Sequence, residues 1–112
     1  MIIVIAVQLE SEEAAKNAYE LACAISKAKD VKLKEGAIRI TSAEYGTVKG
    51  DAFDRNTTSS KVLKAGSEEV GLRDCVGQVG RIMLHVVHSN TGEEAAAVEK
   101  TAVKAAEWLR QK

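Results

Sequence analysis

The chain has 112 residues, with 16 basic and 16 acidic side chains and a formal net charge of zero. This length suits a single domain over residues 1–112, whose core can be large enough to fold without a metal or a disulfide. The balanced charge argues against a dedicated nucleic-acid binder, which usually carries a basic excess.

Membrane-span and signal patterns, together with the spacing of the cysteines, further narrow the class of protein. The longest apolar run covers residues 2–7 and is too short for a membrane span of about 20 residues. No basic segment precedes it, which argues against a secretory signal. Cys23 and Cys75 lack metal-site spacing and are typical of small buried side chains. We therefore expect a cytoplasmic protein with no metal and no cofactor.

The first predicted elements are a strand and a helix. Residues 2–9 are mostly β-branched and apolar, which favours a central strand that is buried on both faces. Ser11 can cap a helix, and Glu12 and Glu13 suit its first turn. Apolar residues at helical spacing extend this prediction over about residues 12–29.

A strand and the return strand of a hairpin are expected next. Apolar and polar residues alternate over 31–41, with a break near Gly36, which indicates a strand with one solvated face. Tyr45 and Gly46 indicate a turn, and residues 48–53 read as the return strand. Residues 54–66 are polar and irregular, and they predict a loop.

The C-terminal half is predicted as helix, strand and helix. Apolar residues in 67–80 recur at i, i+3, i+4 and i+7, and Gly80 suits a helix C-terminus. Residues 81–88 read as a second central strand. Ser89 or Thr91 then begins a last helix that runs to about residue 111.

These elements give a fold prediction. The order β-α-β-β-α-β followed by a helix is that of an α+β, ferredoxin-like antiparallel sheet with an extra C-terminal helix. A small α/β sandwich with a partly parallel sheet is the alternative. The ferredoxin-like arrangement leaves one apolar sheet face to be covered, so we expect a homo-oligomer, a dimer or larger, packed through its sheets.

The densest group of polar side chains lies in the predicted loop at 54–61. Its hydroxyl, amide and cationic groups could surround a small anion, although a solvated loop would look the same and no phosphate-binding glycine pattern accompanies it. The candidate ligand-binding residues are Arg55, Asn56, Thr57, Thr58, Ser59, Ser60 and Lys61.

The two histidines are the remaining candidates for chemistry. His85 and His88 are expected on opposite faces of one strand, so they cannot bind one metal ion together. His85 could act as an acid or base if Asp54 or Asp51 orients it, with Arg55 or Lys61 binding an anionic substrate. A packed or surface histidine is the simpler interpretation.

Three functions are compatible with these residues. The leading hypothesis is a non-catalytic, self-associating module with a small anionic ligand. The first alternative is a small enzyme with its site between His85 and the 54–61 loop, at a subunit boundary. The second is a weak RNA-binding sheet with a basic strand face, formed by Lys32, Lys34, Arg39 and Lys49.

Overall fold

The computed structural model describes residues 2–27, 30–33, 36–89 and 95–111. Within them the chain forms one six-stranded sheet and two helices. The strands are β1 (Ile2–Gln8), β2 (Asp30–Leu33), β3 (Gly36–Gly46), β4 (Arg55–Ala65), β5 (Glu68–Val79) and β6 (Ile82–Ser89), and the helices are α1 (Glu12–Ser26) and α2 (Ala95–Arg110). In this part of the chain, neither helix has the length and apolar character needed to cross a membrane.

The sheet order is β1-β6-β5-β4-β3-β2, and every neighbouring pair is antiparallel. Strands β2 to β6 follow one another as a meander, and β1 adds to the outer side of β6. The ferredoxin-like prediction is therefore wrong, because five strands follow α1 without a helix between them. The partly parallel alternative is also wrong for the described strands. The broader α+β class fits this separation of helices from a meandering sheet.

The error arises in residues 54–80, where β4 and β5 replace the predicted loop and helix. These two strands pair along their whole length, from Arg55 opposite Gln78 to Ala65 opposite Glu68. The apparent helical stripe in β5 comes from a strand that is buried on both faces. Leu72 and Val76 face α1, whereas Cys75 and Val79 face α2, so apolar residues occur at odd and even positions.

The predicted return strand at 48–53 is also absent, since these residues connect β3 to β4. The side-chain amide of Asn56 holds this connection: its Oδ1 accepts from the Val48 N–H at 2.7 Å, and its Nδ2 donates to the Val48 carbonyl. Gly50 has a φ of 112°, a conformation that glycine adopts without strain. The residues that follow, 55–61, belong to strand β4 rather than to the predicted loop.

The N-terminus of α1 follows the sequence prediction. The Ser11 Oγ accepts from the Ala14 N–H at 3.0 Å, and Glu12 and Glu13 occupy the first turn. The helix ends at Ser26, three residues before the predicted end. At the other end of the chain, Thr91 lies outside the described residues, and Ser89 is the last residue of β6 rather than a helix cap.

The main apolar core lies between α2 and the sheet. Phe53 packs there over Gly77 in β5, and the absence of a side chain at Gly77 leaves room for the ring. The other core residues are Cys75, Val79, Leu84, Val86, Val98, Ala102 and Ala106. Helix α1 packs on the opposite face, over β5 and β6. Both faces of the sheet thus carry a helix over β5 and β6, so the described part of the chain does not show the bare face that was predicted for a sheet-packed dimer.

Strand β1 differs from its prediction as a buried central strand. It lies at the edge of the sheet, and only β6 pairs with it among the described residues. Between 40% and 49% of the residue surface stays exposed at Ile3, Val4, Ile5 and Val7. β6, by contrast, is an interior strand as predicted, with Leu84 and Val86 fully buried.

Candidate functional site

The predicted ligand-binding segment is divided between the two faces of β4. Successive strand residues point to opposite sides, so Arg55, Thr57, Ser59 and Lys61 share the α1 face. Asn56, Thr58 and Ser60 point away from α1. The seven side chains therefore do not surround one anion. Of these residues, Ser59 lies beside Asp74, and Lys61 lies beside Ser26.

The predicted pairing of His85 with Asp54 is not formed. Asp54 lies at the β5–β6 turn, where its Oδ2 accepts from the Gly80 N–H at 2.7 Å. Its Oδ1 accepts from Arg110 at 2.8 Å, and Arg110 also donates to the Ala52 carbonyl. The Gly80 and Arg110 bonds keep the pKa of Asp54 below its usual value. This carboxylate fastens α2 to the sheet and does not orient His85.

Asp74 is the acidic partner of His85. The His85 Nε2 lies 3.0 Å from the Asp74 Oδ2, and the Ser59 hydroxyl donates to the Asp74 Oδ1. Strand register explains the cluster: Ser59 is directly opposite Asp74, and His85 on β6 is its diagonal neighbour on the same face. Asp74 is buried, with only 6% of its surface exposed, and both of its oxygens have donors.

Lys61 is the second charged group beneath α1. It is only 6% exposed, and its Nζ donates to the Ser26 Oγ at 2.6 Å. The Tyr45 ring lies 5.8 Å from the same ammonium, a cation–π distance. Burial lowers the pKa of Lys61, and the charge of Asp74 opposes that change. An ammonium has three donors, and one is used by Ser26.

A cavity of about 280 Å³ opens between these groups and the C-terminal half of α1. Its walls are mainly apolar side chains, and its polar groups are Lys61, Asp74, His85 and Ser26. This volume lies just below the usual range of about 300–1,000 Å³ for small-molecule sites. The apolar residues that line it are Ala22, Ile25, Ile40, Leu63, Leu72 and Val76.

The charge state of the cluster follows from its hydrogen bonds. Burial by itself raises the pKa of Asp74, but the bonds from His85 and Ser59, together with the charges of His85 and Lys61, outweigh it, and the pKa falls below the usual value. Asp74 is therefore a carboxylate at neutral pH, and the His85 Nε2 carries the proton between them. The other ring nitrogen of a neutral His85 is then a hydrogen-bond acceptor.

The arrangement is not a Ser–His–Asp nucleophile. Ser59 donates to the carboxylate rather than to the histidine, so His85 is not placed to take the proton of its hydroxyl. Among the residues with described positions, no group of three His, Cys, Asp or Glu side chains could hold a metal ion. The chemistry available at the site is charge recognition by Lys61 and proton exchange at His85.

Asp74 and Ser26 are the residues that sequence reasoning missed. Residues 67–80 were predicted as a helix, so the side chains that share a strand face with Asp74 were not recognised. In a strand, Leu72, Asp74 and Val76 lie on the same face, with Asp74 between two apolar side chains. Gly71 and Gly77 were the sequence signals against a helix. Ser26 had no local signal, because only the packing of α1 on the sheet brings it to Lys61.

The two cysteines are free and separated by the sheet. Cys23 on α1 contacts the Thr57 hydroxyl, whereas Cys75 lies in the α2 core with 1% exposure. Burial, with the nearby charges of Asp74 and Glu99, raises the pKa of the Cys75 thiol to about 12. Cys75 is thus a packing residue, as the sequence predicted, and takes no part in the pocket.

The residues proposed for RNA binding are dispersed. Arg39 lies on β3, whereas Lys49 is in the connection between β3 and β4. Lys34 and the side chain of Lys32 lie outside the described part of the chain. Phe53 is buried over Gly77, so it offers no ring for base stacking.

Comparison with known proteins gives no match: no protein-family model, no curated protein and no solved structure is similar to this chain.

Proposed function

We propose that this protein is a small-molecule binding module, and that the pocket beneath α1 takes a small, mainly apolar molecule with one acidic group. The buried ammonium of Lys61 beside an apolar cavity carries this proposal. In an apolar site, a few polar groups fix the orientation of the ligand, and here Lys61 would hold the acidic group. The two free thiols also support the cytoplasmic setting that we propose for this module.

An anion fits the site better than a cation does. Both Asp74 oxygens already accept hydrogen bonds, from Ser59 and His85, so the carboxylate has little capacity left for a ligand. Lys61 has donors to spare beyond its bond to Ser26. A ligand carboxylate would replace the hydration that Lys61 lost on burial and would pair with its charge.

Hexanoate is a suitable probe, because its chain is apolar and its volume is compatible with a cavity of about 280 Å³. Hexanol is the matched probe without the charge. We expect chemical-shift changes in an amide NMR titration to centre on β4, β5 and the end of α1, with hexanoate binding more tightly than hexanol.

Lys61→Met tests the role of the ammonium, since Met keeps the length and removes the charge. A hydrogen bond to a charged group contributes about 1.5–3 kcal/mol, so hexanoate affinity should fall about tenfold or more. Hexanol affinity should stay within about threefold. The control is Lys64→Met, an exposed residue on the opposite face of β4. Equal affinity of both probes for the unchanged protein would overturn the proposal, and so would the absence of any binding.

A second candidate function is general acid–base catalysis, which the Asp74–His85 pair favours. A carboxylate that holds the Nε2 proton leaves the other nitrogen free to take a proton from water. The water oxygen could then attack the carbonyl carbon of a bound ester, from which the alkoxide or phenolate leaves.

Hydrolysis of 4-nitrophenyl hexanoate tests this candidate, with release of 4-nitrophenolate as the readout. We expect His85→Gln to reduce the rate about a hundredfold, within the range for loss of a general base, and Lys64→Met to leave it unchanged. A rate equal to that of buffer alone would leave binding as the function and contradict catalysis of ester hydrolysis.

A further inference from the structure

The outer edge of β1 is an exposed surface that takes no part in the proposed pocket. β1 ends the sheet, and its side chains remain exposed on both faces, with 49% at Ile3, 46% at Val4 and 47% at Ile5. Proteins usually protect an edge strand with a charged side chain, a proline, a bulge or a covering element. The seven residues of β1 include no charge and no proline, and their register with β6 has no shift.

The hydrogen bonds of β1 show which of its backbone groups face outward. The Leu9 N–H donates to the Arg81 carbonyl at 2.7 Å, one step beyond the pair Gln8–Ile82. Successive residues of an antiparallel strand direct their N–H and C=O to alternate sides. Ile3, Ile5 and Val7 therefore bond to β6, and the backbone groups of Ile2, Val4, Ala6 and Gln8 point away from the sheet.

We propose that this edge pairs with β1 of a second copy of the chain, antiparallel and about a two-fold axis perpendicular to the sheet. The two six-stranded sheets become one continuous sheet. The pairing is independent of the pocket beneath α1 and of whatever binds there.

Geometry selects one register for this interface. Outward-facing residues must lie opposite outward-facing residues, and pairing of the whole strand then sets Val4 opposite Ala6 and Ile2 opposite Gln8. This register pairs β1 over its whole length, places Ile5 opposite Ile5 of the partner copy at the axis, and sets Ile3 opposite Val7. It supplies about eight backbone hydrogen bonds, two for each outward-facing pair.

Charge and side-chain chemistry favour a second copy as the occupant. The strand has no charged residue with which to recognise an acidic or basic peptide, and a pairing with itself brings no like charges together. The formal net charge of zero adds no long-range repulsion between copies. Side chains opposite one another are β-branched at Ile3, Ile5 and Val7, which form favourable cross-strand pairs.

Amide exchange tests the proposal on the unchanged protein. Native mass spectrometry and light scattering should show a dimer at tens of micromolar. In that dimer the Val4 and Ala6 amides should be protected from hydrogen exchange, and dilution below the dissociation constant should expose them. The Ile3, Ile5 and Val7 amides should stay protected at both concentrations, because β6 bonds to them. A monomer at hundreds of micromolar overturns the proposal.

Two matched double variants test the register. Ile3→Lys with Val7→Lys places two lysines opposite one another across the interface, whereas Ile3→Lys with Val7→Glu places opposite charges there. We expect the Lys/Lys protein to dissociate roughly tenfold or more readily than the Lys/Glu protein. Both positions are exposed in the monomer, so both variants should fold, with circular dichroism as the check.

Single variants test whether the interface lies at the edge of β1 or at another exposed apolar position. Ile5→Lys should yield a monomer, because it places two ammonium groups at the axis. Leu21→Lys on α1, where the side chain is 63% exposed, should remain a dimer. The reverse pattern, or a dimer in which the Val4 and Ala6 amides exchange freely, would place the interface elsewhere and contradict the proposal.

Discussion

Gly77→Ala would place a methyl group where it overlaps the ring of Phe53, and we expect it to destabilise the fold. A Cβ on residue 77 would lie 2.2 Å from the Phe53 Cδ1 and 2.4 Å from its Cε1. Ordinary contact between carbon atoms needs about 3.5–4.0 Å, so the ring must move by more than 1 Å. Phe53 is 8% exposed and packs in the α2 core, which leaves it little room.

Three terms set the size of the effect. Overpacking of a well-filled core costs about 1–3 kcal/mol. Expulsion of the ring from the core instead loses about 1.5–3 kcal/mol of apolar burial. Alanine also restricts the unfolded chain, which stabilises the fold by about 0.4–1 kcal/mol. The net expectation is a loss of about 0.5–2.5 kcal/mol in the free energy of unfolding.

Urea unfolding followed by circular dichroism measures this loss through the transition midpoint at constant slope. Gly46→Ala is the control, because a Cβ there lies 3.3 Å from the Thr58 hydroxyl and needs only a small adjustment. The double variant with Phe53→Leu should show coupling, since the smaller side chain makes room for the methyl group. A Gly77→Ala protein as stable as the unchanged chain would refute the packing of Phe53 on β5.

Three further outcomes follow from the charged groups and thiols. Because the folded-state pKa of Asp74 lies below the ordinary 3.8, the stability from its bonds is lost as pH falls through that lower pKa. Urea midpoints at pH 7 and pH 3 should therefore differ less in Asp74→Asn than in the unchanged protein. Cys75, with a pKa of about 12, should react with a thiol reagent at pH 8 only after unfolding, so the native mass should show at most one adduct. Arg110→Met should lower the unfolding free energy by about 1 kcal/mol or less, since its ion pair with Asp54 is 40% exposed, and added salt should narrow the difference between the two proteins.

Local sequence determined the elements whose signals lie within a few residues. Ser11 with the two glutamates begins α1, because a cap and the helix dipole act over a single turn. The alternation over 31–41 predicted one strand with a break near Gly36, where the structure has the two strands β2 and β3, and the apolar run at 81–88 predicted β6. The placement of His85 and His88 on opposite faces also needs only the period of a strand.

Tertiary structure decided β5, the position of β1 and the composition of the pocket. A strand covered by helices on both faces shows apolar residues at every spacing, so β5 resembles a helix until its partners are known. β1 is equally apolar, yet it lies at the edge because the meander ends at β6 and leaves one side open. The contact of Lys61 with Ser26 joins residues far apart in sequence. Only the packing of α1 on the sheet could bring them together.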